Sequence, residues 1–97
     1  MPTYARTHRF VKDHAVLSRE EKARFRTAVD KFVEDLRSDR SFRKGLRVKG
    51  IKGAEGIYEM TWADDGRATF QYGEEQVEGE LHIVWRRVGT RDILDKP

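Results

Sequence analysis

The segment "SREEKARFRTAVDKFVEDLRS", residues 18–38, constrains this chain more than any other. Ser18 followed three residues later by Glu21 is a capping box, in which each side chain satisfies the other's free backbone amide. Phe25, Ala28, Val29, Phe32, Val33 and Leu36 then recur at the spacing of one helical face. Arg24, Arg26, Asp30, Lys31, Glu34 and Asp35 occupy the other. The spacing predicts a helix of about five turns. One side of it is apolar, so the rest of the chain must supply a surface to cover that side.

The second half supplies it. "LRVKGI", "GIYEMTWA", "RATFQYG" and "LHIVWRRV" are short, rich in β-branched and aromatic residues, and separated by glycine-bearing turns. They predict a four-stranded, mainly antiparallel sheet, five-stranded if "TYAR" near the N-terminus joins it. "THRFVKDHAVL" predicts a short first helix with Thr7 as its N-cap and Phe10 as its apolar anchor. The fold class expected is α+β, with two N-terminal helices on one face of the sheet. At 97 residues the chain suits a single domain, 1–97.

"ADDGRATFQYG" sets the register of the central hairpin. A two-residue Asp-Gly turn would place Met60 opposite Gln71 and mix apolar with polar residues on each face. A three-residue loop with Gly66 left-handed instead pairs Trp62 with Ala68, Met60 with Phe70 and Tyr58 with Tyr72. Those six then share the face that the helix covers. Glu59, Thr61, Arg67, Thr69 and Gln71 share the reverse face, with Arg67 opposite Ala63. On that register Glu59 lies roughly 13 Å along the sheet from the level of Arg67.

Charge narrows the function. The net charge is +3, but from Arg40 to Lys52 there are six basic residues and no acidic one. Arg86, Arg87 and Arg91 form a second group. Such clusters suit a polyanion, and they also suit a plainly solvated surface. The chain has no cysteine, which removes disulfides and thiolate-held metals. No apolar run approaches the ~20 residues of a membrane span. Nor does "MPTYARTHRF" offer a signal peptide. The expectation is a soluble cytoplasmic domain without cofactor, metal or membrane partner.

The run "LRVKGIKGAEGIYEMTWADDGRATFQYG…IVWRRVGTRDI" resembles the RelE/ParE superfamily of bacterial type II toxin–antitoxin toxins over nearly the whole chain. The likeness rests on Leu46, Lys49 and Gly50 before the sheet, Tyr58 after a glycine turn, "GR.TF.Y" in the next strand and "VGTR" after the last. For the RelE-like branch the resemblance implies a metal-independent endoribonuclease that cuts mRNA on the ribosome. It further implies a cognate antitoxin whose flexible tail wraps the toxin.

Carried onto this chain, the resemblance makes Arg67 and Arg91 phosphate contacts. Fixed guanidinium donors stabilise the charge that builds on phosphate when a 2′-oxygen attacks. Glu59 and His82 are the candidates for moving protons. Arg43, Lys44, Arg47, Lys49, Lys52 and Arg86 are the candidate RNA-binding residues. Two departures stand out: Glu59 and Thr61 occupy strand positions where RelE has lysines, and "DILDKP" replaces a C-terminal tyrosine. They leave a second class open, a non-catalytic binder that inhibits gyrase as ParE does or is held only by its antitoxin. Plainer roles also stand beside the sharp ones. Arg67 would be a solvated hairpin-end residue, Glu59 the cross-strand partner of Arg86, His82 a surface histidine, and Trp85 a core residue partly open to a base.

Overall fold

The capping box forms as expected. In the computed structural model, which describes residues 2–38 and 41–97, the Ser18 amide donates to Glu21 Oε1 at 2.8 Å and the Glu21 amide to Ser18 Oγ at 3.1 Å. They start helix α2, Arg19–Arg37. Before it come strand β1, Thr3–Arg6, and helix α1, His8–Ala15, capped by Thr7 Oγ1 accepting from the Phe10 amide. After it come a 3-10 turn, Lys44–Leu46, then β2 (Lys49–Ile51), β3 (Ala54–Thr61), β4 (Gly66–Tyr72) and β5 (His82–Thr90). A second 3-10 helix, Arg91–Asp95, follows β5. The five strands make one mixed sheet in the order β1-β5-β4-β3-β2, parallel only between β1 and β5.

The helices cover one face. Phe32 is fully buried, stacked on Phe42 and edge-on to Phe70, both at 4.9 Å between ring centres. Phe25 meets Trp62 and Trp85 edge-on, and Phe10 packs on both Phe25 and Trp85. Trp85 is only 5 % exposed, so it is core and offers no ring to a base.

The hairpin register differs from expectation. Tyr58 pairs with Phe70, Met60 with Ala68, and Thr61 with Arg67. The Gly66 amide donates to Ala63 O at 3.0 Å and the Trp62 amide to Gly66 O at 3.1 Å. Arg67 therefore lies opposite Thr61, not Ala63. Gly66 is not left-handed either; the positive-φ glycines are Gly53, Gly56 and Gly79. A slip of two residues leaves every side chain on its own face, so apolar alternation cannot detect it. Trp62 makes the choice. Its indole lies so close on Gly66 that a Cβ there would meet ring atoms at 2.6 Å, and its Nε1 donates to Arg67 O at 3.0 Å.

Strand β5 bulges. Thr69 pairs with Arg87 but Phe70 with Trp85, leaving Arg86 unmatched. Trp85 and Val88 both stay in the core as a result. Beyond the short β1 the outer edge of β5 is covered by α1. Asp13 accepts from the Val88 amide at 3.3 Å and from Arg87 Nε at 2.7 Å. An edge closed in this way does not invite another strand.

Candidate functional site

Arg67 is the second residue of β4, between Thr61 on β3 and Gly89 on β5. Its Nη1 donates to the carbonyls of Gly66 at 3.0 Å, Asp64 at 3.2 Å and Ala63 at 3.4 Å. Its Nε stands 3.9 Å from Glu59 Oε1, and the two side chains are only 12 % and 11 % exposed. The observed register makes Glu59 a diagonal neighbour of Arg67, which overturns the separation of roughly 13 Å expected from the sequence. It also gives Glu59 a different partner. Arg86 donates to Gln71 and to the Pro97 carbonyl, not to Glu59. Thr69, paired with Glu59 across the strands, is fully buried and its hydroxyl has no hydrogen-bond partner.

Arg91 opens the C-terminal 3-10 helix and donates to Asp65 Oδ1 at 3.0 Å across the hairpin turn. Arg67 and Arg91 line one groove of about 820 Å³. It runs past Thr61 and Trp62 to Arg24 and Lys31 on α2, with Arg43 and Arg47 from the loop before β2. The groove opens at the hairpin end of the sheet. The reverse face itself is partly roofed: Ile93 is buried, and its Cγ2 lies 3.1 Å from where a Cβ on Gly89 would be. Arg87 Nη1 donates to Lys96 O at 3.1 Å and Arg86 Nε to Pro97 O at 3.0 Å, pinning the tail there. Ile93 and Leu94 after the last strand were the only sequence signal of this roof.

His82 does not join the site. It sits at the start of β5, seven residues before Gly89, or about 23 Å at strand rise. It is buried, not a surface histidine, with Nδ1 2.7 Å from Thr3 Oγ1.

The expected RNA-binding residues divide. Lys44, Arg47, Lys49 and Lys52 are exposed, and Arg40 lies outside the described residues. Arg86 is turned inward to Gln71 and the tail. Arg43 is held by Asp35 at 2.8 Å and Glu34 at 3.2 Å. Its hydrogen bonds hold the Asp35 carboxyl below the usual range and raise its own pKa in turn. Arg47 has φ 46° and ψ 45°, the only left-handed non-glycine among the described residues. That conformation costs an L-residue about 1–2 kcal/mol, and a helical turn ending this way usually has glycine there.

A second groove, about 690 Å³, lies between α2 and β1. Its lining includes Phe10, Phe25, Val29, Val33, Leu36 and Ile83, with Arg6, Lys22 and Arg26 also lining it and no acidic residue among the described residues. His14 also lines it, its ring stacked 6.0 Å from that of Phe10. Burial pushes the His14 pKa down, and Lys22 and Arg6 push it the same way.

No family model and no curated protein matches the sequence. Solved structures do match. YafQ of E. coli, in its complex with DinJ, superposes with a TM-score of 0.69 at 11 % identity, over 97 % of this chain and 98 % of that one. A YoeB/ParE toxin from Agrobacterium tumefaciens gives 0.65 at 10 %, over 91 % and 96 %. RelE from the RelB–RelE antitoxin–toxin complex of Methanococcus jannaschii gives 0.58 at 22 %, over 95 % of each chain. This is the fold of the RelE/ParE toxins. At these identities the fold is what is shared. In this chain the hairpin end carries Arg67, with Glu59 beside it, and α2 and the basic loop complete the groove that Arg67 lines. No described helix is long and apolar enough to cross a membrane.

Proposed function

We propose that this chain is the toxin of a type II toxin–antitoxin pair and an endoribonuclease acting on mRNA at the ribosome, in the cytoplasm. The observation that carries it is that Arg67 and Arg91 line one groove rich in cationic side chains, with Glu59 3.9 Å from Arg67. The chemistry follows from that placement. Arg67 and Arg91 bracket a phosphate and stabilise the charge that grows on its non-bridging oxygens. Glu59, beside the guanidinium that holds the phosphate, takes the proton of the attacking 2′-oxygen; a 2′,3′-cyclic phosphate forms as the bond to the 5′-oxygen breaks, and solvent water protonates that leaving oxygen. Charge stabilisation assigned to two guanidiniums requires no metal. The apolar groove between α2 and β1, basic and free of acids among the described residues, supports an antitoxin partner with an acidic, apolar segment; YafQ and RelE are held by DinJ and RelB in the structures named above.

One observation favours a non-catalytic binder: no histidine or tyrosine lines the Arg67 groove to protonate the leaving 5′-oxygen. Induced expression separates the two. A nuclease stops translation and leaves mapped cuts in ribosome-bound transcripts, and Glu59→Gln and Arg67→Lys reduce the cutting. Intact mRNA on translating ribosomes, with DNA damage and filamentation, would establish the gyrase-type binder instead.

A further inference from the structure

The groove between α2 and β1 has an apolar floor, with Arg6, Lys22 and Arg26 around it and no acidic residue among those described. The loop joining β4 to β5, residues 73–81, has the opposite character. It holds Glu74, Glu75, Glu78 and Glu80, and it leaves Val77 52 % and Leu81 48 % exposed. None of residues 73–81 lines the groove of its own chain. The two are neighbours all the same: the Thr3 amide donates to Leu81 O at 2.9 Å, and Thr3 and Tyr4 line the groove. Tyr4, Ile83 and Tyr72 stand side by side across β1, β5 and β4, next to the loop. Of the six large apolar side chains exposed among the described residues, Tyr4, Tyr72, Val77 and Leu81 gather at this end of the sheet. Exposed apolar surface gathered in one place and edged by charge marks an interface.

We infer that this surface joins two copies of the chain, the 73–81 loop of each seated in the α2–β1 groove of the other. Charge complementarity selects the occupant: four glutamates and two apolar side chains meet three cations and an apolar floor. The loop is also shaped in advance. The Glu80 amide donates to Val77 O at 2.9 Å and the Gly79 amide to Glu75 Oε1 at 2.8 Å, with Gly79 at φ 81°. A segment already ordered loses little freedom on docking, whereas a flexible acidic tail must be ordered first. Because loop and groove adjoin on each chain, a twofold axis makes both contacts together and closes the pair. The inference goes beyond the nuclease reading and needs no catalysis. It makes a second copy and an antitoxin rivals for one groove.

The test is sedimentation velocity of the purified chain from about 1 µM to about 1 mM, at about 50 and about 300 mM salt. A contact of this size predicts a monomer–dimer equilibrium with Kd between about 10 µM and about 1 mM, weaker at the higher salt. Val77→Asp should weaken it at least about tenfold. Charge reversal identifies the two surfaces. Glu74→Lys with Glu78→Lys on the loop, or Lys22→Glu with Arg26→Glu at the groove, should each leave a monomer, because like charges then face each other. Mixing the two double variants in equal amounts should restore a dimer, since both contacts of the mixed pair again join opposite charges. All four substituted side chains are exposed or half-exposed, and circular dichroism melting checks that each variant is folded. A native chain that stays monomeric at about 1 mM would overturn the inference. So would a dimer that both reversals leave intact, or a mixture that stays monomeric. Antitoxin binding is scored separately, by titrating a synthetic peptide of glutamate and leucine onto the native chain. If the peptide binds while the chain stays monomeric, only this inference fails. If the dimer forms through loop and groove but the peptide does not bind, only the antitoxin reading fails.

Discussion

Arg67→Ala is expected to damage the fold as well as the site. An arginine at a hairpin end facing water would change stability by no more than about 0.5 kcal/mol. This one donates to three turn carbonyls and stands beside a carboxylate that is itself nearly buried. Breaking a fully buried pair costs about 3–5 kcal/mol, because the surviving charge is left without a partner. The 3.9 Å separation and the residual exposure bring that toward about 2–3 kcal/mol. Against a total of ~5–15 kcal/mol for a small domain, this is a large fraction. At roughly 4–8 °C per kcal/mol, the melting temperature should fall by about 8–24 °C. Glu59→Gln removes the stranded charge with little change of shape, so Arg67→Ala with Glu59→Gln should regain about 1 kcal/mol over Arg67→Ala alone. The assay is thermal and urea unfolding followed by circular dichroism on all four members of the cycle. If Arg67→Ala melts within about 2 °C of the native chain, or the double variant is no better than the single, the pair is not coupled and the reasoning fails. Loss of toxicity in Arg67→Ala therefore says nothing of catalysis by itself. Arg67→Lys, which keeps the charge and gives up the fork, is the informative variant.

Phe32→Ala should cost about 3–5 kcal/mol in urea unfolding, since its ring is the meeting point of Phe42, Phe70 and Trp85; native-like melting would show the core to lie elsewhere. Gly66→Ala should cost about 1–3 kcal/mol and shift tryptophan fluorescence, because its Cβ must displace the Trp62 indole; combining it with Trp62→Leu should add less than the sum. Asp35, whose carboxyl is held below its ordinary pKa by hydrogen bonds from Arg43, stabilises the fold above pH ~4. That contribution is lost as the pH falls through the folded value, so Asp35→Asn should flatten the acid limb of a stability–pH curve. His14, held below 6.5 by burial, Lys22 and Arg6, favours the neutral ring in the folded state. Its contribution is present above pH ~6.5 and declines as the pH drops below it, and His14→Leu should remove that decline.

Features that depend on neighbours along the chain were legible before folding. Ser18 and Glu21 cap α2 from three residues apart, and its apolar stripe follows from helical pitch. Alternation in "YEMT" and "RATFQY" assigned each residue its face, because the period of a strand is two whatever it pairs with. That Glu59 and Arg67 share the face away from the helices was legible for the same reason. Their adjacency was not. Registers two residues apart place the same residues on the same faces, and only Trp62 closing onto Gly66 selects between them. The commitments of the charged groups were equally out of reach. Arg87 finds Asp13 from 74 residues away, Arg91 finds Asp65 from 26, and Arg86 turns inward because β5 bulges there. A list of cations shows where charge is available; only tertiary structure shows which charges are already neutralised. Electrostatic partners are chosen by distance in space, which the chain sets only once it has folded.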